Sequence, residues 1–331
     1  MYDTLLFTFP VVDMIVPLTG PLPVGAGNNY LTNTIINEPG GPANILISGK
    51  RVGLNILPVG IVGDDCYGEF LLEAYKKEGL DISQLTVVLG FETRKVIVLL
   101  DINGNHAFIS MIEGIVGSFN NAEELIKEAK SICFSGYYVA AETIRAESMR
   151  LFRLAKAAGI SIFFDPGPLI NDIPQDCKDE ILAASTVTIL NDQEAALISH
   201  EQEVESSADF ILNKTSGLVV VKSGSKGCYI VSHNNQKGHW YEGFKVKLID
   251  TTAAGDSFLG AFMYGYLSGW DIETIAHFSN ATGAAKVEKV GSGTQVATFE
   301  EIVAILERGG FNIPHSIKIE KNFKNLVLHR N

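Results

Sequence analysis

Short apolar runs alternate with amphipathic stretches along most of the chain. The apolar runs predict buried strands, which lie at residues 56–62, 131–134, 161–165, 187–190 and 218–222. The periodic stretches predict helices at residues 43–51, 67–78, 142–158, 176–184, 192–199, 204–213, 255–268, 272–288 and 299–307. Buried strands that alternate with helices are typical of a parallel sheet with helices on both faces, so we expect an α/β protein.

Two stretches depart from this alternation. Residues 13–38 are rich in turn-forming residues and contain the run GAGNN at 25–29. Residues 93–111 predict a hairpin, because two apolar runs flank Asn103-Gly104, a pair typical of a type I′ turn. Together they predict a small β-layer; the alternative is a surface hairpin with no such role. We expect a main domain of residues 1–12, 39–92 and 112–309, a small layer of 13–38 and 93–111, and a C-terminal extension of 310–331.

The composition limits the kinds of partner. The 331 residues, 46% of them hydrophobic, allow one large domain or two unequal ones. A formal net charge of −12 argues against a nucleic-acid partner, because phosphate neutralisation requires clustered Lys and Arg. It does not oppose ATP, whose charge is met locally by a metal ion and backbone N–H groups. The four cysteines are far apart in the sequence, which favours free thiols over a disulfide or zinc site.

The N-terminal stretch is apolar but does not read as a targeting signal. Asp3, Pro10 and Asp13 interrupt it, and it has no basic region at its start, so it predicts a buried strand. The apolar runs are all shorter than the roughly 18 residues that a membrane span requires. We therefore expect a cytoplasmic protein with no membrane partner.

The run DTTAAGDSF at residues 250–258 is the part of the sequence that most clearly indicates a chemical role. Its small residues Ala253, Ala254 and Gly255 precede an apolar helix, and a helix N-terminus favours an anion through its unpaired N–H groups and its dipole. Asp256 stands beside this site and can take the proton from an attacking hydroxyl while the phosphoryl group is held. The alternative is a surface carboxylate that only complements the helix dipole.

This run resembles the C-terminal signature of the PfkB, or ribokinase-like, family of sugar and nucleoside kinases. Ala253 takes a position that is Gly in many members. Residues 59–68 resemble a second motif of the family, in which we expect Asp64 or Asp65 to cap the following helix. The resemblance covers most of the chain and implies a ribokinase-like three-layer α/β/α sandwich. Its central sheet is mainly parallel, and a small β-sheet forms a lid over the sugar site.

The resemblance also implies roles for residues near the sugar. Gly40, Gly41 and Asn44 are similar to an N-terminal family element that binds sugar hydroxyls, and Asp13 is similar to a strand-end Asp that accepts hydrogen bonds from two of them. From the residues alone, Gly40 to Asn44 can equally be a loop-to-helix turn with an Asn cap. Asp13, which follows the apolar run at residues 5–12, can equally be a turn residue.

Two further motifs resemble the nucleotide end of the family. Asn191 and Glu194 follow a predicted strand, and the resemblance places Asn191 near the phosphates and Glu194 near Mg²⁺ through water. The alternative is an Asn helix cap with Glu in the first turn. Gly224 and Gly227 are similar to the glycines of a nucleotide loop, whose usual Thr is replaced by Lys222. Lys222 can touch a phosphate or be an exposed strand end.

The resemblance further implies a monovalent cation. Residues 289–293 lie where ribokinase-like members bind K⁺ near the anion site, and the backbone carbonyls of Asp250 and Thr252 are the expected ligands there. We therefore expect ATP and Mg²⁺, with K⁺ as a further candidate.

Taken together, these features predict an ATP-dependent kinase that phosphorylates a hydroxymethyl group of a small sugar such as ribose or fructose. Residues 165–169 read DPGPL and resemble a motif of sugar-acid kinases, but this chain lacks the Asn and the Arg of that motif. The difference counts against a sugar acid as the substrate. One alternative is a nucleoside kinase of the same family, with Phe108, Tyr137 and Tyr138 as candidate contacts. Another is a catalytically inactive scaffold. An exposed lid edge favours a homodimer.

Overall fold

The computed structural model describes residues 1–22, 32–102, 106–110, 119 and 121–311, without the side chains of residues 235 and 236. The strands are β1 (Tyr2–Thr8), β2 (Val11–Pro17), β3 (Ile36–Gly40), β4 (Ile56–Gly63), β5 (Leu85–Val88), β6 (Arg94–Leu100), β7 (His106–Ser110), β8 (Ala129–Ser135), β9 (Ser161–Asp165), β10 (Val187–Asn191), β11 (Leu218–Lys222), β12 (Gly227–Ser232) and β13 (Asn235–Glu242). The α-helices are α1 (Pro42–Val52), α2 (Cys66–Lys77), α3 (Ala122–Lys127), α4 (Tyr137–Ala140), α5 (Glu142–Ala158), α6 (Gln175–Ala184), α7 (Asp192–Ser199), α8 (Val204–Leu212), α9 (Ala254–Leu267), α10 (Ile272–Val287) and α11 (Phe299–Arg308). Short 3-10 turns lie at Ile170–Asp172, Gly224–Lys226 and Gly293–Gln295.

The main sheet has nine strands in the order β13-β12-β11-β10-β9-β8-β1-β4-β5. Its strands are parallel from β5 to β11, and β12 and β13 extend one edge in antiparallel pairing. Alternate residues of β1 point to opposite faces: Leu5 and Phe7 pack in a core with α3, α5, α6, α7 and α8, whereas Leu6 packs in a second core with α1, α2, α9 and α10. This is the three-layer α/β/α sandwich that the resemblance implies.

A separate sheet has four strands in the order β3-β2-β6-β7. β2 runs parallel to β6, while β3 and β7 pair antiparallel to them at the two edges. The predicted hairpin is therefore part of a larger sheet, and the structure contains the small second sheet that the resemblance implies. The GAGNN run at 25–29 and the Asn103-Gly104 turn lie outside the described residues, as does the extension beyond residue 311.

The expected single strand over residues 5–12 is divided in two. β1 ends at Thr8 within the main sheet, and β2 begins at Val11 within the small sheet. Pro10 lies between them, and because it has no N–H group it cannot continue a ladder of hydrogen bonds. Asp13 consequently lies inside β2, opposite Glu38 of β3, rather than at the end of the first strand.

Asp65 connects helix α2 of the main domain to the residue that precedes β6 of the small sheet. It is the N-cap of α2, where its Oδ1 accepts a 2.8 Å hydrogen bond from the Gly68 N–H group, as the motif predicts. Its Oδ2 accepts from the Thr93 N–H group at 2.9 Å, just before β6 begins. One carboxylate thus fixes the start of a main-domain helix against the entry to the small sheet. In the described part of the chain, we find no helix with the length and apolarity needed to cross a membrane.

Candidate active site

The N-terminus of α9 begins at a residue with unusual backbone geometry. Ala253, the N-cap, has φ of 64° and ψ of 3°, in the left-handed region where a side chain other than hydrogen costs roughly 1–2 kcal/mol. The Ala254 N–H group turns back to the Thr251 carbonyl at 3.2 Å. The next two N–H groups, of Gly255 and Asp256, belong to the first turn, where a helix supplies no carbonyl partner. They are the donors that this end of the helix offers to an anion.

The carboxylate of Asp250 holds the turn before α9 in place. Its Oδ1 accepts hydrogen bonds from the Thr252 N–H group at 2.9 Å and the Thr252 hydroxyl at 2.7 Å. Its Oδ2 accepts from the Gly291 N–H group at 2.8 Å. Asp250 is buried, and it therefore joins the start of α9 to the loop that follows α10.

Asp256 contacts Asn44 across a close crossing of α1 and α9. A Cβ atom on Gly260 would lie 2.8 Å from the Gly49 backbone nitrogen, so the two helices approach nearly backbone to backbone. One turn earlier on each helix, the Asn44 Nδ2 donates a 2.8 Å hydrogen bond to the Asp256 Oδ2. The Asn44 Oδ1 accepts from the Gly293 N–H group at 2.7 Å, which fixes the orientation of the buried amide.

The environment of Asp256 favours its protonated form. Burial and the nearby charge of Asp165 raise the pKa of Asp256 to about 6, against the opposing effects of the Asn44 hydrogen bond and the Lys222 charge. A carboxylate with a pKa near 6 is ionised at neutral pH and is a stronger base than an ordinary surface Asp. Asp256 therefore combines a position beside the helix N-terminus with the basicity that proton transfer requires.

Asp13 lies against Gly40 in the small sheet. A Cβ atom on Gly40 would lie 1.9 Å from the Asp13 Oδ1, so only glycine leaves room for the carboxylate. The Asp13 Oδ2 accepts a 2.6 Å hydrogen bond from the Ser292 hydroxyl. Burial raises the pKa of Asp13 to about 6, with further contributions from the charges of Asp256 and Glu38. Asp13 and Asp256 are thus close enough to interact electrostatically, although Asp13 lies in the small sheet and Asp256 lies in helix α9.

The loop at residues 291–293 connects these groups. Three consecutive residues each donate one hydrogen bond to a different acceptor, and the acceptors are in order Asp250, Asp13 and Asn44. Sequence reasoning singled out residues 289–293 for a monovalent cation but did not assign Ser292 or Gly293 to the sugar end of the site, because their partners lie far away along the chain. The only local signal is the pair of glycines, Gly291 and Gly293, which both adopt positive φ.

Lys222 points toward the N-terminus of α9. Its Nζ lies 3.2 Å from the position that a Cβ atom on Gly255 would occupy. Its charge lowers the pKa values of Asp256 and Glu194. The structure therefore places Lys222 inside the site, which decides against the exposed strand end, and it puts a cation beside the expected position of the anion.

Asn191 and Glu194 form a capping box at the start of α7. The Asn191 Oδ1 accepts from the Glu194 N–H group and the Glu194 Oε2 accepts from the Asn191 N–H group, both at 2.8 Å. The alternative interpretation of this motif as a helix cap is thus realised. Burial and the charge of Asp165 nevertheless raise the pKa of Glu194, so Glu194 in the first turn of α7 lies near Asp165 at the end of β9.

These carboxylates fit a hydrated magnesium ion. Among the described residues there is no cluster of three or more side chains able to hold a metal on their own. Mg²⁺ keeps several waters and commonly needs one or two protein carboxylates beside substrate phosphates. Glu194 and Asp165 supply such a pair, and a cation there would relieve their mutual repulsion.

The glycines of the predicted nucleotide loop have different surroundings. Gly224 has φ of 54°, and a Cβ atom there would meet open space. Gly227 has φ of 95°, and a Cβ atom there would lie 2.1 Å from the Tyr241 carbonyl oxygen. Gly227 is therefore required by the pairing of β12 with β13, whereas Gly224 leaves the loop surface accessible to a ligand.

The aromatic residues considered for a nucleoside do not form one patch. The Tyr138 hydroxyl is within hydrogen-bond distance of the Thr8 hydroxyl and accepts from the Phe9 N–H group, so it fills a structural role. Phe108 lies on β7 and is exposed. Of these three residues, Tyr137 is the one that lies close to the site. The charge of Asp256 raises the pKa of Tyr137, second in effect to burial.

Comparison with protein families gives a match over most of the chain. Residues 21–298 match the model of the pfkB family carbohydrate kinases. A 5-dehydro-2-deoxygluconokinase of Clostridium perfringens is 27% identical over 285 residues, which cover 81% of this chain and 83% of that protein.

Solved structures with the same fold include a putative Ribokinase II from E. coli. Its apo form gives a TM-score of 0.80 at 22% identity, and covers 93% of this chain and 100% of that one. Its complex with ATP and Mg²⁺ gives 0.77 at 21% identity, with the same coverage. A nucleoside kinase from Burkholderia thailandensis in complex with inosine gives 0.78 at 21% identity, and covers 94% of this chain and 98% of that one.

Proposed function

Because the chain belongs to the pfkB family of carbohydrate kinases and is an ATP-dependent sugar kinase, we propose that it phosphorylates a hydroxymethyl group of a small sugar such as ribose or fructose. One observation carries this proposal: Asp256, with its pKa raised to about 6, lies beside the N-terminus of α9 and is oriented by Asn44. A base and an anion site are thereby held next to each other.

In this proposal, Asp256 accepts the proton of the primary hydroxyl as its oxygen attacks the γ-phosphorus of ATP. A new P–O bond forms to the sugar, the bond from the γ-phosphorus to the bridging oxygen breaks, and ADP leaves. The N–H groups of Gly255 and Asp256 stabilise the charge of the transferring group, and the small residues Ala253 and Ala254 let it approach the helix. The Ala254 N–H group contributes less than expected, since it is bonded to Thr251.

Lys222 is proposed to bind the same phosphoryl group from the other side. Its Nζ lies against Gly255, where an ammonium ion can follow the charge as it moves from ATP to the sugar. Asn191, Gly224 and Gly227 are proposed to contact the rest of the triphosphate. Glu194 would hold Mg²⁺ through water, and the ion would neutralise phosphate charge.

The sugar is proposed to lie between the two sheets, with Asp13 and Asn44 as its polar contacts and Gly40 and Gly41 as the surface it approaches. Gly41 has φ of 50°, and a Cβ atom there would lie 2.9 Å from Val11 Cγ1. The small β-layer predicted over residues 13–38 and 93–111, whose described strands are β2, β3, β6 and β7, is proposed to act as a lid that excludes water and so limits ATP hydrolysis.

A sugar acid is the second candidate substrate. It is favoured by the name of the Clostridium perfringens relative, 5-dehydro-2-deoxygluconokinase. The local electrostatics favour a neutral sugar, since the Asp13, Glu38 and Asp256 charges raise pKa values within the site and an anionic substrate would add to the repulsion.

A coupled assay of ADP release tests the proposal. Ribose, fructose, 5-dehydro-2-deoxygluconate and inosine are compared at equal concentration with ATP and Mg²⁺. We expect the largest kcat/KM with a neutral sugar. A larger value with 5-dehydro-2-deoxygluconate would replace the neutral sugar by the acid, and a larger value with inosine would favour a nucleoside kinase.

A homodimer formed through the small sheet is also proposed. β7 is an edge of this sheet among the described residues, and Ile97, Phe108 and Ile109 are exposed on β6 and β7. An edge strand with exposed apolar side chains can pair with a second copy of itself.

A further inference from the structure

Lys286 on α10 is a fully buried lysine, with none of its surface exposed. Its Nζ donates a hydrogen bond to the Lys289 carbonyl at 3.0 Å. Burial lowers the pKa of Lys286 to about 8, while the charge of Asp250 acts in the opposite direction. Lysine is almost never fully buried unless its charge is paired, so this position calls for a specific role.

The position of Lys286 is informative because of what surrounds it. The N–H group of Ile249 donates to the Val287 carbonyl at 2.8 Å, so the chain before α9 lies against the end of α10. The Lys289 carbonyl that Lys286 binds lies two residues before Gly291, whose N–H group donates to Asp250. The ammonium group therefore lies beside the segment that carries Asp250 and the loop at 289–293.

This is the place where the sequence predicted a monovalent cation. The residues there do not fit one. A K⁺ ion needs several oxygen ligands without a neighbouring positive charge, but the Lys286 ammonium already takes the Lys289 carbonyl and already interacts with Asp250. Two unit charges a few ångströms apart in a buried region repel each other by several kcal/mol at an effective dielectric constant of about 20.

We propose that the Lys286 ammonium is a built-in cation that takes the place of K⁺, so that phosphoryl transfer by this kinase is independent of monovalent cations. The ammonium holds the Lys289 carbonyl and so sets the loop that donates to Asp250, Asp13 and Asn44. At neutral pH it also supplies a positive charge near the turn before α9. Lys286 acts through these groups and is a positioning residue.

The proposal rests on the proposed kinase activity, and the first test measures initial rates of the whole protein. The sugar that gives the highest turnover is assayed in potassium, sodium and choline chloride at equal ionic strength. We expect rates that agree within about twofold, a difference below 0.5 kcal/mol in barrier. A stimulation by potassium over choline of about tenfold or more would overturn the proposal.

A second test removes the ammonium. Lys286→Met keeps most of the side-chain volume, and Lys286→Ala leaves space. We expect both to lower kcat by about tenfold or more, and Lys286→Ala to regain activity in potassium but not in choline. Lys127→Met, which removes an exposed lysine on α3, is the control for loss of charge. Unchanged kcat in both Lys286 variants would overturn the role.

Thermal unfolding separates this inference from the proposed function. If no sugar is phosphorylated, the proposed function fails, but the melting temperature still reports on cation binding. We expect the wild type to melt at the same temperature in potassium and choline, and Lys286→Ala to be stabilised by potassium. A wild-type protein that potassium stabilises more than choline does would contradict the built-in cation. So would a Lys286→Ala variant that is insensitive to potassium.

Discussion

The amide of Asn44 holds Asp256 with one end and the Gly293 N–H group with the other, at 2.8 and 2.7 Å. Because the Gly293 N–H group is a donor, the oxygen of Asn44 must face it and the NH₂ group must face Asp256. The orientation of the proposed base is therefore set by a loop that is not part of its own helix.

Asp256→Asn is expected to remove phosphoryl transfer while ATP still binds. The amide has nearly the same shape as the carboxylate but cannot take the proton, and general-base catalysis contributes about 10²–10⁴-fold. ADP release measures the loss, and calorimetry measures ATP binding. Asp176→Asn changes a carboxylate in the first turn of α6 and is the matched control. Near-normal turnover in Asp256→Asn would exclude this residue as the base.

The same substitution is expected to stabilise the protein at neutral pH. The pKa of Asp256 is about 6 in the folded protein, against about 3.9 when unfolded. Folding therefore binds protons between pH 4 and pH 6, and the carboxylate destabilises the fold increasingly as the pH rises through that window. Since Asp256 is only partly buried, we expect Asp256→Asn to raise the free energy of unfolding at pH 8 by about 2 kcal/mol at most.

Chemical denaturation at pH 8 and pH 4.5 measures this effect. At pH 4.5 the wild-type carboxyl is protonated in the folded state but still largely ionised in the unfolded state, so the stabilisation by Asp256→Asn is expected to fall to about a third of its value at pH 8. Activity is expected to show the complementary behaviour, with kcat/KM falling below about pH 6 as the base becomes protonated. Equal stability of the two proteins at pH 8 would mean that folding does not raise the pKa of Asp256.

Lys222→Met is expected to weaken both ATP binding and turnover, by about 10- to 100-fold in kcat/KM for ATP, since hydrogen bonds to charged groups contribute about 1.5–3 kcal/mol. It is also expected to shift the acid limb of the pH profile upward, because Lys222 lowers the pKa of Asp256. Lys214→Met, at a lysine preceding the same strand, serves as the comparison. A pH profile that does not move would show that Lys222 and Asp256 are not coupled.

Gly40→Ala is expected to damage the sugar end specifically. A methyl group there would fall 1.9 Å from the Asp13 Oδ1, so the carboxylate must move away from Ser292. We expect KM for the sugar to rise by about tenfold or more, and a loss of stability of about 1–3 kcal/mol. Gly20→Ala adds a methyl group in open space and is the control. An unchanged KM for the sugar in Gly40→Ala would contradict the proposed contact between Asp13 and the sugar.

Phe108→Glu is expected to shift the proposed homodimer toward monomer. A carboxylate on the edge strand β7 would be desolvated in any pairing of two small sheets. Light scattering coupled to size exclusion measures the mass of each protein. Glu substitution of Phe210, an exposed aromatic residue on α8, tests whether any exposed aromatic has this effect. A wild-type protein that is monomeric at high concentration would contradict the proposed homodimer.

The parallel part of the fold could be predicted from the sequence, because its strands are buried on both faces. Ser161–Asp165 and Leu218–Lys222 were predicted with the bounds that they have, since continuous apolar runs define both ends. β13 was missed because its sequence, NQKGHWYE, is largely polar and forms an edge. Edge strands bury little, so hydrophobicity does not report them.

The candidate site could be predicted only where its residues follow one another in the chain. The residues at 250–258 are consecutive, so a local pattern reports them. The left-handed backbone conformation of Ala253 explains why glycine suits that position. The Ser292 and Asp13 side chains meet across 279 residues, and no local pattern reports such a contact. Lys286 was missed for a related reason, since a lysine near the end of a helix is ordinarily solvated.

The loop at 291–293 restricts how this sequence can vary. Two of its three donors are main-chain N–H groups, which any residue able to adopt the same backbone would supply. Its length has no such freedom: inserting or deleting one residue would shift each donor to its neighbour's acceptor and misalign Asp250, Asp13 and Asn44 at once. Changes of length between α10 and α11 are therefore far more disruptive than most substitutions there, and engineered insertions belong elsewhere in the chain.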